Sequence, residues 1–152
     1  MINFIMKYIF VTAYDDFSDY RLLKRIYDKL FSNSDKNELT FYCTLGSSGD
    51  NTCAKYIREN GMKMIDWLNP RKGKTIKEER KKILTNCDYA IVFMNEYHKG
   101  MFTASDQARK YVKKQLVIVS TDLNEIAKFD RNLNTEKIYT YNDNNFYEKE
   151  KN

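Results

Sequence analysis

The sequence predicts an α/β protein built on a mainly parallel sheet of about five or six strands, and three observations carry that expectation. Short apolar runs alternate with amphipathic stretches of helical period along most of the chain. Two of those runs, Tyr89–Met94 (YAIVFM) and Leu116–Ser120 (LVIVS), are apolar almost throughout, as strands covered on both faces must be. A third segment, Thr40–Thr44, leads into Leu45-Gly46-Ser47-Ser48-Gly49-Asp50 and then into a helical pattern. A strand, a glycine loop and a helix start form the arrangement by which α/β proteins present backbone N–H groups to an anion.

In chain order, Phe4–Thr12 (FIMKYIFVT) reads as the first buried strand and Ala13–Asp16 as the loop after it. Asp16 or Ser18 caps a helix from about Asp19 to Phe31, with Tyr20, Leu23, Ile26, Tyr27 and Leu30 on its apolar stripe. Thr40–Thr44 is the second strand, and the helix after its loop spans Asn51–Asn60 with Gly61 at the C′ position. Lys63–Trp67 reads as a third strand, Leu68–Lys74 as a loop with the only proline, and Thr75–Asn86 as a charged helix. After Tyr89–Met94 come a loop at Asn95–Gly100, a helix at Thr103–Lys113 and the strand Leu116–Ser120. The remainder is read as a short helix at Asp122–Phe129, a weak strand at Lys137–Tyr141 and a fraying tail at Asn142–Asn152.

The 152 residues suit one domain, residues 1–141, with 142–152 as its flexible tail. Hydrophobic content of 42% and charged content of 31% fit a folded soluble protein. No apolar run approaches the roughly 18–20 residues of a membrane span. Met1–Val11 carries Lys7 and lacks a small-residue cleavage site, so it reads as a strand. The cysteines, Cys43, Cys53 and Cys87, match no zinc spacing and imply a reducing, cytoplasmic compartment. A single histidine, His98, excludes any mechanism or metal site needing two. The net charge of +5 permits an anionic ligand, nucleic acid or an acidic protein partner, with basic residues densest in Arg71–Lys82. The abundance of Lys, Asn, Ile and Tyr is what an AT-rich coding sequence produces, as in low-GC bacteria or their phages.

In such sheets ligands sit beyond the carboxyl ends of the strands. The loops at Ala13–Asp19, Gly46–Asp50, Asn69–Thr75 and Asn95–Phe102 all emerge there, and they hold four of the five glycines: 46, 49, 73 and 100. Gly46, Ser47, Ser48, Gly49 and Asp50 can bind a phosphate or ribose through N–H groups and hydroxyls. The same residues also make an ordinary β–α turn with Asp50 as N-cap.

Four motifs in this order resemble the SLOG superfamily, Rossmann-like proteins related to DprA and the LOG enzymes, and within it the small YspA/YpsA-like branch. Val11-Thr12-Ala13-Tyr14-Asp15-Asp16-Phe17-Ser18-Asp19 parallels that branch's V-T-G-x-R-D-F-x-D motif. Gly46–Asp50 with Ala54 parallels G-x-x-x-G-A-D. Asp66-Trp67, Gly73-Lys74 and Arg80-Lys81 parallel D-W-x-x-x-G-K-x-x-x-x-x-R-N, and Lys99-Gly100-Met101 follows the fourth strand as a G-T loop does. The resemblance covers roughly Ile5–Ser120 and implies a three-layer Rossmann-like fold with a nucleotide-type ligand. The departures are specific. Ala13 replaces a glycine, Tyr14-Asp15 stands near an expected arginine, and Lys77 and Lys81 replace a glycine and an asparagine. The fourth loop lacks the P-G-G-x-G-T-x-x-E pattern that LOG-type phosphoribohydrolases use, which argues against that chemistry.

The ligand-binding candidates are therefore Thr12, Ala13, Tyr14, Gly46, Ser47, Ser48, Gly49, Asp50, Lys74, Arg80, Gly100 and Met101. Arg80 suits bidentate pairing with phosphate, and is equally a solvated charge on a helix with Lys77, Glu78, Glu79, Lys81 and Lys82. Asp15, Asp16 and Asp19 form a candidate acid/base or divalent-metal set, and turn or cap roles explain them as well. His98 can donate to a ligand, and Trp67, with Tyr14 and Tyr97, can stack on a base. The expected function is binding of a nucleotide or nucleotide-derived small molecule, with no cofactor, no metal and no membrane partner. Two alternatives stand beside it: an interaction protein binding a host protein or nucleic acid, and a nucleotide or nucleoside N-glycosidase using Asp15, Asp16, Asp19 or Glu96. A homodimer through exposed helices is left open.

Overall fold

A computed structural model describes residues 6–67, 75–142 and 145–148. It is an α/β structure with one eight-stranded sheet and four α-helices. The strands are β1 (Lys7–Ala13), β2 (Leu39–Cys43), β3 (Lys63–Asp66), β4 (Tyr89–Met94), β5 (Gln115–Ser120), β6 (Glu125–Asp130), β7 (Thr135–Asn142) and β8 (Asn145–Glu148). The helices are α1 (Tyr20–Leu30), α2 (Ser48–Glu59), α3 (Ile76–Thr85) and α4 (Gly100–Tyr111). The strands lie in the order β3-β2-β1-β4-β5-β6-β7-β8, parallel as far as β5 and antiparallel from β5 to β8.

Side-chain alternation along the strands builds two cores. Ile9, Val11, Phe41 and Phe93 face α1 and α2, whose Leu23, Ile26, Tyr27, Cys53, Ala54 and Ile57 bury against them. Phe10, Ala90, Val92 and Leu116 face the other way, onto Leu84 of α3 and Ala108 of α4. Helices on both faces explain why the central strands carry no polar side.

Local chemistry sets the helix ends. The side chains of Asp19, Ser47 and Thr75 accept from the backbone N–H groups of Leu22, Asp50 and Glu78, capping α1, α2 and α3. Gly61 occupies the expected C′ position after α2 with φ of 64°, and the N–H groups of Gly61 and Met62 close on the carbonyls of Arg58 and Ile57.

Several expectations are corrected. The sheet is larger than five or six strands and is mixed. The segment expected as a helix over Asp122–Phe129 contains β6, and the weak strand at Lys137–Tyr141 is the eight-residue β7. The stretch read as a fraying tail includes β8. The β5–β6 and β6–β7 hairpins turn through four residues that end on an asparagine in the left-handed region, Asn124 (φ 52°) and Asn134 (φ 49°). Helices α2 and α4 begin earlier than their expected starts, so Gly49 and Gly100 lie in first turns and not in loops. No described helix is long and apolar enough to cross a membrane.

Candidate functional site

The strand order reverses direction between β1 and β4, and a cleft of about 300 Å³ opens there beyond the carboxyl ends of the parallel strands. Eight of the expected ligand residues line it: Thr12, Ala13, Gly46, Ser47, Asp50, Arg80, Gly100 and Met101. Asp15, Phe10, Thr44, Trp67 and Ile76 complete the lining. Residues more than 80 positions apart in sequence thus meet around one hollow because successive parallel strands deliver their ends to the same rim.

Asp50 is the structural knot of the site. One carboxylate oxygen accepts from the Thr12 hydroxyl at 2.9 Å and from the Ala13 N–H at 3.2 Å, while the other accepts from the Thr44 hydroxyl at 2.5 Å. The side chain therefore ties the ends of β1 and β2 to the first turn of α2. Burial raises its carboxyl above the ordinary range, against the lowering effect of those three hydrogen bonds. Ser47, and not Asp50, is the N-cap.

The glycine loop serves the fold more than a ligand. The Gly49 N–H donates to the Asp15 carbonyl at 3.1 Å, and the Asp50 N–H to Ser47 Oγ at 3.2 Å. Two of the first three donors of α2 are thus already engaged, which weakens the expected phosphate cradle. Gly49 is buried under the preceding loop, where an added Cβ would fall 2.1 Å from the Tyr14 carbonyl oxygen and 2.8 Å from that of Ala13. Close backbone approach, not positive φ, requires this glycine.

A guanidinium with no described carboxylate partner lines the same cleft. Arg80 on α3 is half-buried, and its Nε–H donates to Gln107 Oε1 at 2.5 Å. Gln107 is itself fixed by donating from Nε2 to the Lys77 carbonyl at 3.0 Å. Burial lowers the Arg80 guanidinium from its ordinary value, and no described carboxylate pairs with it. Trp67 packs its ring 5.7 Å from that of Phe10, and its indole Nε1–H is buried without an acceptor. A partly desolvated guanidinium on the cleft lining favours an anionic or carbonyl-bearing ligand.

Three carboxylates expected as a cluster have separate tasks. Asp15 lines the cleft, Asp16 lies 3.0 Å from His98 Nε2, and Asp19 caps α1. His98 Nδ1 donates to Asn95 Oδ1 at 2.6 Å, so the histidine links the loops after β1 and β4. Among the described residues no group of three His, Cys, Asp or Glu side chains is placed to hold a metal ion. Tyr14, Ser48 and Gly49 do not line the cleft. Tyr14 packs against Phe17 and His98 with its hydroxyl 3.1 Å from that of Thr121, and Lys74 falls outside the described residues. Tyr97 is 80% exposed and does not line the cleft.

Compared with protein-family models, curated proteins and solved structures, the chain matches none. The site is therefore read from its own residues. Gln107, which aims Arg80, carries no motif or period that would single it out in the sequence.

Proposed function

We propose that this chain is a Rossmann-like domain of SLOG type that binds a nucleotide or nucleotide-derived small molecule in the cleft between the ends of β1 and β4. The observation that supports the reading is the Arg80 guanidinium, held at the cleft through Nε by Gln107 and paired with no described carboxylate. It suits a phosphate or carboxylate oxygen, and Asp15 with the Ser47 hydroxyl in the same lining suits sugar hydroxyls. The role is sensing or sequestering a nucleotide signal in the cytoplasm, consistent with a phage or mobile-element origin. Binding without turnover fits a cleft where the Asp50 carboxylate is committed to Thr12, Ala13 and Thr44.

A thermal-shift screen of the purified protein against nucleotides, cyclic dinucleotides and ADP-ribose derivatives tests this. A ligand at about 100 times its Kd adds roughly 2.7 kcal/mol of stability. The expected result is a shift that Arg80→Ala abolishes, with no free base released from the ligand. A flat screen of folded protein overturns the reading, and base release lost in Asp15→Asn replaces it with the N-glycosidase.

A further inference from the structure

His98 bridges the loops that follow β1 and β4, and both of its ring nitrogens face acceptors. Nδ1 lies 2.6 Å from Asn95 Oδ1, and Nε2 lies 3.0 Å from Asp16 Oδ1. The backbone fixes which way the Asn95 amide points, because the same Oδ1 accepts the N–H groups of Tyr97 and His98 at 3.1 Å each. Nδ1 must therefore donate. A carboxylate only accepts, so Nε2 must donate as well, and an imidazole carries two N–H groups only when it is protonated. The ring also lies against that of Tyr14, with centroids 5.0 Å apart, where a π face attracts a cation.

These contacts join two walls of the cleft. On one side Asp16 follows Asp15, a lining residue whose carbonyl accepts the Gly49 N–H at 3.1 Å. On the other side the His98 carbonyl accepts the Met101 N–H at 3.0 Å, at the start of α4, where Gly100 and Met101 line the cleft. The further ionisable groups on the elements that meet here are Glu96, Tyr97 and Lys99 of the same loop, and Asp122 of the β5–β6 turn, which accepts the Glu96 N–H.

We infer that His98 is a proton-operated clasp on the cleft: the charged ring ties the loop after β1 to the loop after β4, and the neutral ring, with one N–H, has to release Asp16 or Asn95. Histidine changes charge between about pH 5 and 8, so the two walls are joined in mildly acidic solution and released in mildly alkaline solution. As regulation of the cleft this rests on the ligand reading above. The closure itself is measured without any ligand, so the two readings fail separately.

Amide hydrogen exchange of the purified protein, followed by NMR at about pH 5.5 and about pH 8 and expressed as protection factors, tests it. Protection of the Gly49 and Met101 amides is expected to be about threefold or more higher at the lower pH, and this ratio should vanish in His98→Gln. The chain has one histidine, so a single Cε1–H resonance reports its titration, and protection should change at the same midpoint. Asp16→Asn, at an exposed position, should remove most of the pH response while leaving the fold intact. Asp50 is common to all three proteins, so its own titration cancels. Protection that ignores pH, or follows it equally in His98→Gln, overturns the proposal. An Asp16→Asn protein that keeps the full wild-type response overturns it as well.

Discussion

Gln107 accepts the Nε–H of Arg80 at 2.5 Å across the gap between α4 and α3. The contact fixes the plane of the guanidinium without neutralising it, since an amide brings a dipole and no charge. Gln107→Leu leaves Arg80 Nε without its acceptor and takes the Gln107 donor from the Lys77 carbonyl. A stability loss of about 1–3 kcal/mol is expected in urea denaturation. The same variant should lose most of any ligand-induced thermal shift although Arg80 is intact.

Two glycines in the first turns of α2 and α4 should answer alanine in opposite ways. Gly49→Ala forces a methyl onto the Tyr14 and Ala13 carbonyl oxygens, neither of which is the end of a flexible side chain. A loss of about 3 kcal/mol or more, or failure to fold, is expected. Nothing lies within 4 Å of the Cβ position at Gly100. There alanine should stabilise by about 0.5–1 kcal/mol through helix propensity and the unfolded chain's entropy. Paired thermal melts separate the two cases.

Asp50 gives the protein a pH dependence of unusual sign for a carboxylate. Its folded pKa is raised, so the folded state holds the proton at a higher pH than the unfolded chain does. Its contribution is complete below the unfolded value of about 3.9 and is lost as pH rises through the folded one. On acidification from neutral pH toward about 4, the wild type should therefore gain stability relative to Asp50→Asn. Urea titrations of both proteins at each pH measure the difference, and a constant difference would sink the idea.

The three free cysteines are all buried. Burial pushes the Cys53 and Cys87 thiols up to about 12 and raises Cys43 further. A thiolate-selective reagent at neutral pH should leave the native protein unmodified and titrate three thiols once it is denatured.

The central strands were legible because burial on both faces writes itself into composition. Tyr89–Met94 is a strand to the residue. The cleft was partly legible, because loops at strand carboxyl ends must converge wherever the order of strands reverses. Of the antiparallel half only β7 was legible, as the strand expected at Lys137–Tyr141. Ile126 and Phe129 sit three apart, as on a helix, yet they face opposite sides of β6. The signal that would have found it is local: Asp122-Leu123-Asn124 and Asn132-Leu133-Asn134 are near-repeats, each ending on an asparagine that accepts positive φ. Gln107 left no such trace, since a glutamine facing another helix follows no period of its own.

The backbone N–H of Tyr8 donates to the Asp88 carboxylate, 80 residues away, at the seam where β1 meets β4. Strands β5, β6 and β7, by contrast, join one to the next through four-residue turns. Chain segments close in space and near in sequence organise quickly, and distant ones wait on the entropy of a long loop. The meander should therefore assemble ahead of the seam, and a partly folded chain should carry the meander while lacking the cleft. A molecule seated between Thr12 and Gly100 would then act as a late fastener: it would leave the folding rate nearly untouched and slow unfolding, so that occupancy is read as the lifetime of the native chain.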